Sequence, residues 1–271
     1  MKSFVAVVLL ATTALAIPAL QPRIAGGRTA RPKDIPYQVG LDITKYTAKV
    51  GEYDEWCGAS LVSDQLIVTA AHCLRNAIAA DVYLGTVNFM KDEEPGRVMV
   101  HVKRSAFIIH EHYDFYLLKN DIALIKLPQK ISFSDHIKPL NLPRLSQKDS
   151  GFVNRMAWIS GWGLTANDDD QPDELQFAQR SILADSRCES FFSLFKKDTQ
   201  ICVDGSQGIS NCKGDSGGPL AIDEADGTRT LVGIVSYGRP KGCGTGFPSV
   251  YTRVTAYLDW IAKNGGVTLR K

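Results

Sequence analysis

Three short stretches of this chain hold side chains that could do chemistry together. VTAAHC places His72 at the end of an apolar run, beside Cys73. NDIALIKL places Asp121 at the head of another apolar run. NCKGDSGGPL places Ser216 among Gly214, Gly217 and Gly218. A serine hydroxyl is a weak nucleophile at neutral pH and needs a base to take its proton as it attacks. An imidazole exchanges protons near pH 7 and suits that task. A carboxylate can hold the ring in the useful tautomer. The glycine run is a poor helix and a poor strand. It reads either as a surface turn or as a loop built to hold a nucleophile, because glycine permits backbone angles that other residues avoid.

Such groups need a scaffold, and the rest of the chain describes one. The 271 residues are 44% hydrophobic and 22% charged, ordinary values for a packed globular protein. The formal net charge of +2 gives no reason to expect nucleic acid or an acidic membrane as partner. Met1-Lys2 followed by FVAVVLLATTALA, ending in Ala14-Leu15-Ala16, reads as a secretory signal peptide over residues 1–16. The segment 17–23, IPALQPR, follows it. Lys2 and Arg23 are the only charged residues before Ile24, so the chain beyond carries equal numbers of basic and acidic residues. Six cysteines in an exported chain suggest three disulfides, and none lies in a C-x-x-C pair of the kind that binds zinc.

Short runs rich in β-branched and aromatic residues recur from PYQVGLDI to FPSVYTRV, punctuated by Gly, Pro, Asn and Asp. They predict an all-β protein. Residues 128–147 are richer in proline and polar residues and read as a crossing between two β-modules of similar size. One helix is expected near the end, over about 254–264, where Val254, Tyr257, Leu258 and Ile261 fall at helical spacing.

Taken together, IAGG at Ile24, TAAHC, NDIAL, GWG at Gly161, GDSGGP, SYG at Ser236 and the closing helix resemble a chymotrypsin-like serine endopeptidase of the trypsin-like superfamily. The resemblance covers nearly the whole chain from Ile24. It implies two packed six-stranded antiparallel β-barrels, the first over about 24–130 and the second over about 145–253, with a C-terminal α-helix. It implies His72 as base, Asp121 as its orienting carboxylate, Ser216 as nucleophile, and the amides of Gly214 and Ser216 as the oxyanion hole. It further implies a zymogen activated by cleavage of Arg23–Ile24, with the new Ile24 amine pairing with Asp215. The disulfides implied are Cys57–Cys73, Cys188–Cys202 and Cys212–Cys243.

The same resemblance implies the substrate pocket: Ser210 at its base, then Asn211, Lys213 at the rim, Ser236, Tyr237 and Gly238 on one wall, and Ser249 on the other. A trypsin would carry an aspartate where Ser210 stands, so cleavage after Lys or Arg is disfavoured, since a buried cation would lack a partner. Large apolar residues are the expected preference, with elastase-like or collagenolytic specificity as alternatives. The expectation is a secreted, extracellular, monomeric enzyme. It would act on proteins or peptides, be activated by a trypsin-like protease and meet protein inhibitors. No cofactor and no metal is expected, and no nucleic acid or membrane partner after signal removal. His110-Glu111-His112 reads as a solvated strand edge and Asp168-Asp169-Asp170 as a solvated loop. Glu93-Glu94 lies in a loop where some relatives bind calcium, but Thr86 stands where a first acidic ligand is needed, so no calcium site is expected. From a different functional class, the rival is an inactive protease-fold binding protein. Such relatives usually lack a member of the triad, and all three are present here.

Overall fold

The computed structural model describes residues 27–165, 171–239 and 243–271. The expected signal peptide, the propeptide, the Arg23–Ile24 bond and the acidic run at 168–170 lie outside the described residues. In chain order the first half contains β1 (Arg28–Thr29), β2 (Gln38–Thr47), β3 (Gly51–Leu61), β4 (Leu66–Thr69), α1 (Ala71–Leu74), β5 (Ala77–Leu84), β6 (Val98–Lys103), β7 (Phe107–Ile109) and β8 (Ala123–Lys126). The second half contains β9 (Met156–Gly161), β10 (Gln176–Ser181), α2 (Asp185–Phe191), β11 (Gln200–Val203), β12 (Pro219–Asp223), β13 (Arg229–Tyr237), β14 (Ser249–Arg253) and α3 (Leu258–Gly265).

The strands form two curled antiparallel sheets. The first runs β6-β5-β2-β3-β4-β8-β7 and the second β1-β10-β9-β12-β13-β14-β11. Each has seven members rather than six, for identifiable reasons. β6 and β7 are one run of chain broken by a 3-10 turn at Arg104–Ala106, and that turn joins the two ends of the first sheet. In the second sheet the extra member is the two-residue arm β1 on the outer side of β10. An isolated bridge between Ile182 and Val203 draws the ends of that sheet together.

Alternation explains the packing. Along β2, Val39, Leu41 and Ile43 turn inward at period two and are fully buried. In the second barrel Ile159, Ile201, Leu220, Ile222 and Val232 form the core. Strand β13 is buried along nearly its whole length, which is why TLVGIVS reads as an unbroken apolar run.

Several elements escape the sequence reading. Strand β10 carries Gln176 and Arg180 as buried residues, so its pattern is not apolar-in; Arg180 donates through Nε to the Asp204 carbonyl at 2.8 Å. Strand β12 begins with a proline directly after the glycine loop. Helix α2 has seven residues and a single buried one, Cys188. The C-terminal helix starts later than expected, at Leu258, because Val254–Tyr257 form a 3-10 turn; it ends at Gly266 in the left-handed region.

The barrels are pinned together by polar contacts. Ser160 Oγ donates to Gln38 Oε1 at 2.6 Å, Arg229 reaches the Tyr37 hydroxyl and the Asp34 carbonyl, and the Gly58 amide donates to the Ser216 carbonyl at 2.7 Å. Three disulfides join Cys57 to Cys73, Cys188 to Cys202 and Cys212 to Cys243. Cys188–Cys202 ties α2 to β11 across 14 residues. In the chain-entropy picture a loop of that size contributes about 3 kcal/mol. Cys188→Ser with Cys202→Ser should therefore lower stability by about that amount, read from urea unfolding as a reduced midpoint, with a slope that rises as the uncrosslinked unfolded chain expands.

Candidate active site

His72 lies in α1, immediately after the fully buried strand β4, and the Cys57–Cys73 disulfide fastens its neighbour to β3. Asp121 is fully buried just ahead of β8. It is held there by the fold: Asn120 adopts a left-handed φ of 52°, and Thr252 on β14 donates to the Asp121 carbonyl at 2.7 Å. The two meet twice. His72 Nδ1 lies 2.8 Å from Asp121 Oδ2, and the His72 amide donates to Asp121 Oδ1 at 2.9 Å. An ionised carboxylate only accepts, so Nδ1 carries a proton, and in the neutral ring Nε2 is left with its lone pair. A third donor, the Ser236 hydroxyl, reaches Asp121 Oδ2 at 2.6 Å.

Ser216 stands in the loop between Cys212 and β12. Gly214 has φ +100°, and a Cβ there would come within 3.0 Å of Gly163 Cα; at Gly217 a Cβ would lie 2.2 Å from Thr69 Oγ1. Gly217 also has a positive φ, +78°, so the loop needs glycine for angle at both positions and most acutely for space at Gly217. The amides of Asp215, Gly217 and Gly218 are occupied by the carbonyls of Cys212, Val235 and Asp215. Among the described residues, the amides of Gly214 and Ser216 donate to no group. Two free N–H groups, one on the serine itself and one two residues before it, can receive developing negative charge on a carbonyl oxygen. The Ser216 hydroxyl and the His72 ring are not hydrogen-bonded to each other among the described residues; such contacts tighten when substrate binds.

Asp215 points inward, away from Ser216. Its oxygens accept from the amides of Gly163 and Cys212, both at 2.8 Å. A Cβ at Gly161 or Gly163 would collide with this carboxylate, which explains the glycines of GWG. Burial pushes the Asp215 carboxyl up to about 6, against the pull of those amides and of Asn211. Its expected partner, the Ile24 amine, lies outside the described residues.

The remaining predicted site residues differ in burial and partners. Ser210 is buried, and its Oγ accepts from the Gly244 amide at 3.2 Å. Asn211 Oδ1 accepts from the Tyr251 hydroxyl. Lys213 is exposed and its carbonyl accepts from the Leu164 amide. Tyr237 donates to Gln200 Oε1 at 3.1 Å, with its ring edge-on to Phe192. A Cβ on Gly238 would meet nothing within 4 Å. Ser249 is buried opposite Val203. The side chain of Ser236 faces Asp121, a contact that sequence reasoning missed; a serine ending an apolar strand carries no signal of it. His110-Glu111-His112 lies just past β7, where His110 stacks on Trp260 and Glu111 accepts from its indole N–H.

A two-barrel fold with an imidazole bonded to a buried carboxylate, and a glycine-framed serine loop packed on the strand disulfide-linked to that histidine's neighbour, is the architecture of a serine hydrolase. The family model described as Trypsin matches residues 24–261. A Hypoderma lineatum protein called Collagenase is 35% identical over 90% of this chain and 88% of its own length. Serine protease 1 of Drosophila melanogaster is 36% identical over 92% and 88%. Chymotrypsin of Phaedon cochleariae is 36% identical over 88% and 80%. The solved structure of HL collagenase superimposes with a TM-score of 0.78 at 35% identity, covering 90% of this chain and 99% of that one. The chain belongs to the trypsin family and is a serine endopeptidase that acts on proteins or peptides.

Burial opposes a charge on His72, but the field and hydrogen bond of Asp121 outweigh it and hold the ring above its ordinary value. Burial likewise opposes the Asp121 anion, but the field of His72 and the hydrogen bonds from His72 and Ser236 prevail and hold it below the carboxylate range. The raised histidine contributes stability that is complete below the free-imidazole value and is lost as pH rises through the folded one. The depressed aspartate contributes stability that is complete above the free-carboxylate value and is lost as pH falls through the folded one. Asp121→Asn should therefore lower the His72 titration midpoint, seen in ring-proton NMR. It should also remove stability most strongly between those two limits, seen in urea unfolding across pH.

Proposed function

We propose that this chain is a secreted protease made as a zymogen, with signal peptide 1–16, propeptide 17–23 and protease domain 24–271. Cleavage after Arg23 by a trypsin-like protease would free the Ile24 amine to pair with Asp215. His72 takes the proton from Ser216 as Oγ attacks the scissile carbonyl, and Asp121 stabilises the imidazolium. The amides of Gly214 and Ser216 hold the oxyanion. His72 then returns the proton to the leaving amine, leaving an acyl-enzyme that water hydrolyses through the same steps. The observation that carries this reading is the doubly bonded His72–Asp121 pair beside a serine whose loop leaves two amides free. Asp215 supports the switch, because it is a fully buried carboxylate with no salt-bridge partner among the described residues.

Neutral Ser210 at the buried end of the pocket supports a preference for large apolar residues, as does the relative named Chymotrypsin. The relative named Collagenase favours collagen cleavage as the second reading.

One experiment addresses these points together. The full chain is cut with trypsin, the trypsin is selectively inhibited, and the product is sequenced from its N-terminus, labelled with a fluorophosphonate and profiled on a peptide library. The expected result is a new N-terminus at Ile24, labelling at Ser216, and cleavage after Phe, Tyr, Leu or Met. Ser216→Ala should abolish labelling and lower turnover by several orders of magnitude. Labelling-negative wild-type protein would point instead to a binding function. In the uncut chain the Asp215 carboxyl should titrate near 6; after cutting it should fall well below that, as carboxyl carbon NMR would show.

A further inference from the structure

A lysine is seldom buried, and Lys45 is. It lies on β2 where the register with β5 shifts, between Thr44 and Lys45, and its side chain is 5% exposed. The Nζ donates to the carbonyl oxygen of His72 at 3.2 Å and lies 2.9 Å from Glu55 Oε2 on β3. Helix α1 has only four residues, so its last carbonyls lack intrahelical partners. Among the described residues no other donor reaches the His72 carbonyl. A cation bonded to the carbonyls at a helix C-terminus is favourable in both hydrogen bonding and charge. Lys45 thus caps the very residue whose ring faces Asp121.

We propose that Lys45 and Glu55 are positioning residues for His72: the lysine anchors its backbone, and the balance of the two charges sets how readily its ring holds a proton. The assignment rests on His72 being the base, as argued above. The charged groups around His72 are few. Asp121 faces it from the loop before β8, Lys45 from β2 and Glu55 from β3. Strand β7, packed beside α1, brings Phe107, Ile108 and Ile109 and no titratable group. Burial and the nearby Asp121 charge hold the Tyr113 hydroxyl in its neutral form. The field of Lys45 opposes the imidazolium and that of Glu55 favours it, so the two partly cancel. Glu55 is the more exposed partner, so the solvent reaches this balance from one side.

The two charges make opposite predictions, which a purely structural role does not. In the activated enzyme, kcat/KM is measured across pH on one peptide amide for wild type, Lys45→Met, Lys45→Arg and Glu55→Gln. Lys45→Met should move the acid limb toward higher pH and lower kcat. Glu55→Gln should move it toward lower pH. Lys45→Arg should keep the wild-type midpoint. Unmoved limbs, or limbs displaced in the same direction, would overturn the proposal, as would a uniform loss of activity in Lys45→Met with its midpoint unchanged. If Lys45→Met does not fold, Glu55→Gln alone decides by whether its limb moves down. His72→Ala separates the two levels of argument. Full activity in that variant sinks the assignment of the base itself. Inactivity alongside unmoved limbs sinks only the charge pair.

Discussion

The Asp121 carboxylate is the interaction on which the site depends. It is an anion with no exposure to water, placed where the two barrels meet, and a buried charge left unpaired costs several kcal/mol. Its partners come from both sides of that seam. His72 supplies a ring N–H and an amide from the first barrel; Ser236 supplies a hydroxyl from the second, and Thr252 ties down its carbonyl. Satisfying this one anion fixes the imidazole and ties the two barrels together. Chemistry and packing are here a single requirement.

The second buried anion, Asp215, behaves differently because its surroundings differ. Two amides face it, and its titration lies above the ordinary range where that of Asp121 lies below. Donors alone do not offset full desolvation in this pocket, whereas donors plus a cation do. The glycines at 161 and 163 make room for Asp215, and those at 214 and 217 give the adjoining loop its angle and its space. The glycine loop and the GWG segment are therefore two faces of one structural solution, far apart in sequence and touching in space. Behind the histidine's backbone, Lys45 is another buried charge, matched by Glu55 and by a carbonyl.

Much of this was legible in the chain itself. The residues flanking His72, Asp121 and Ser216 are distinctive, and strands such as β2 and β13 announce themselves by alternation or by an unbroken apolar run. Strands β10 and β12 and helix α2 did not. Arg180 and Gln176 are buried by virtue of polar partners that local pattern cannot display, and a seven-residue helix with one buried residue has no periodicity to detect. The contacts of Ser236 with Asp121 and of Lys45 with the His72 carbonyl were invisible for the same reason: each is an ordinary strand residue given meaning by a partner at least 27 residues away.

The sequence by itself determined which side chains can react, where glycine is required, and that the framework is built from strands. Only the tertiary structure decided which donors surround each buried anion, which amides remain free, and which lysine lies under the histidine. The reason is that hydrogen bonding and desolvation act over a few ångströms in space, and the groups that exchange them here are brought together from distant parts of the chain by barrel closure and docking.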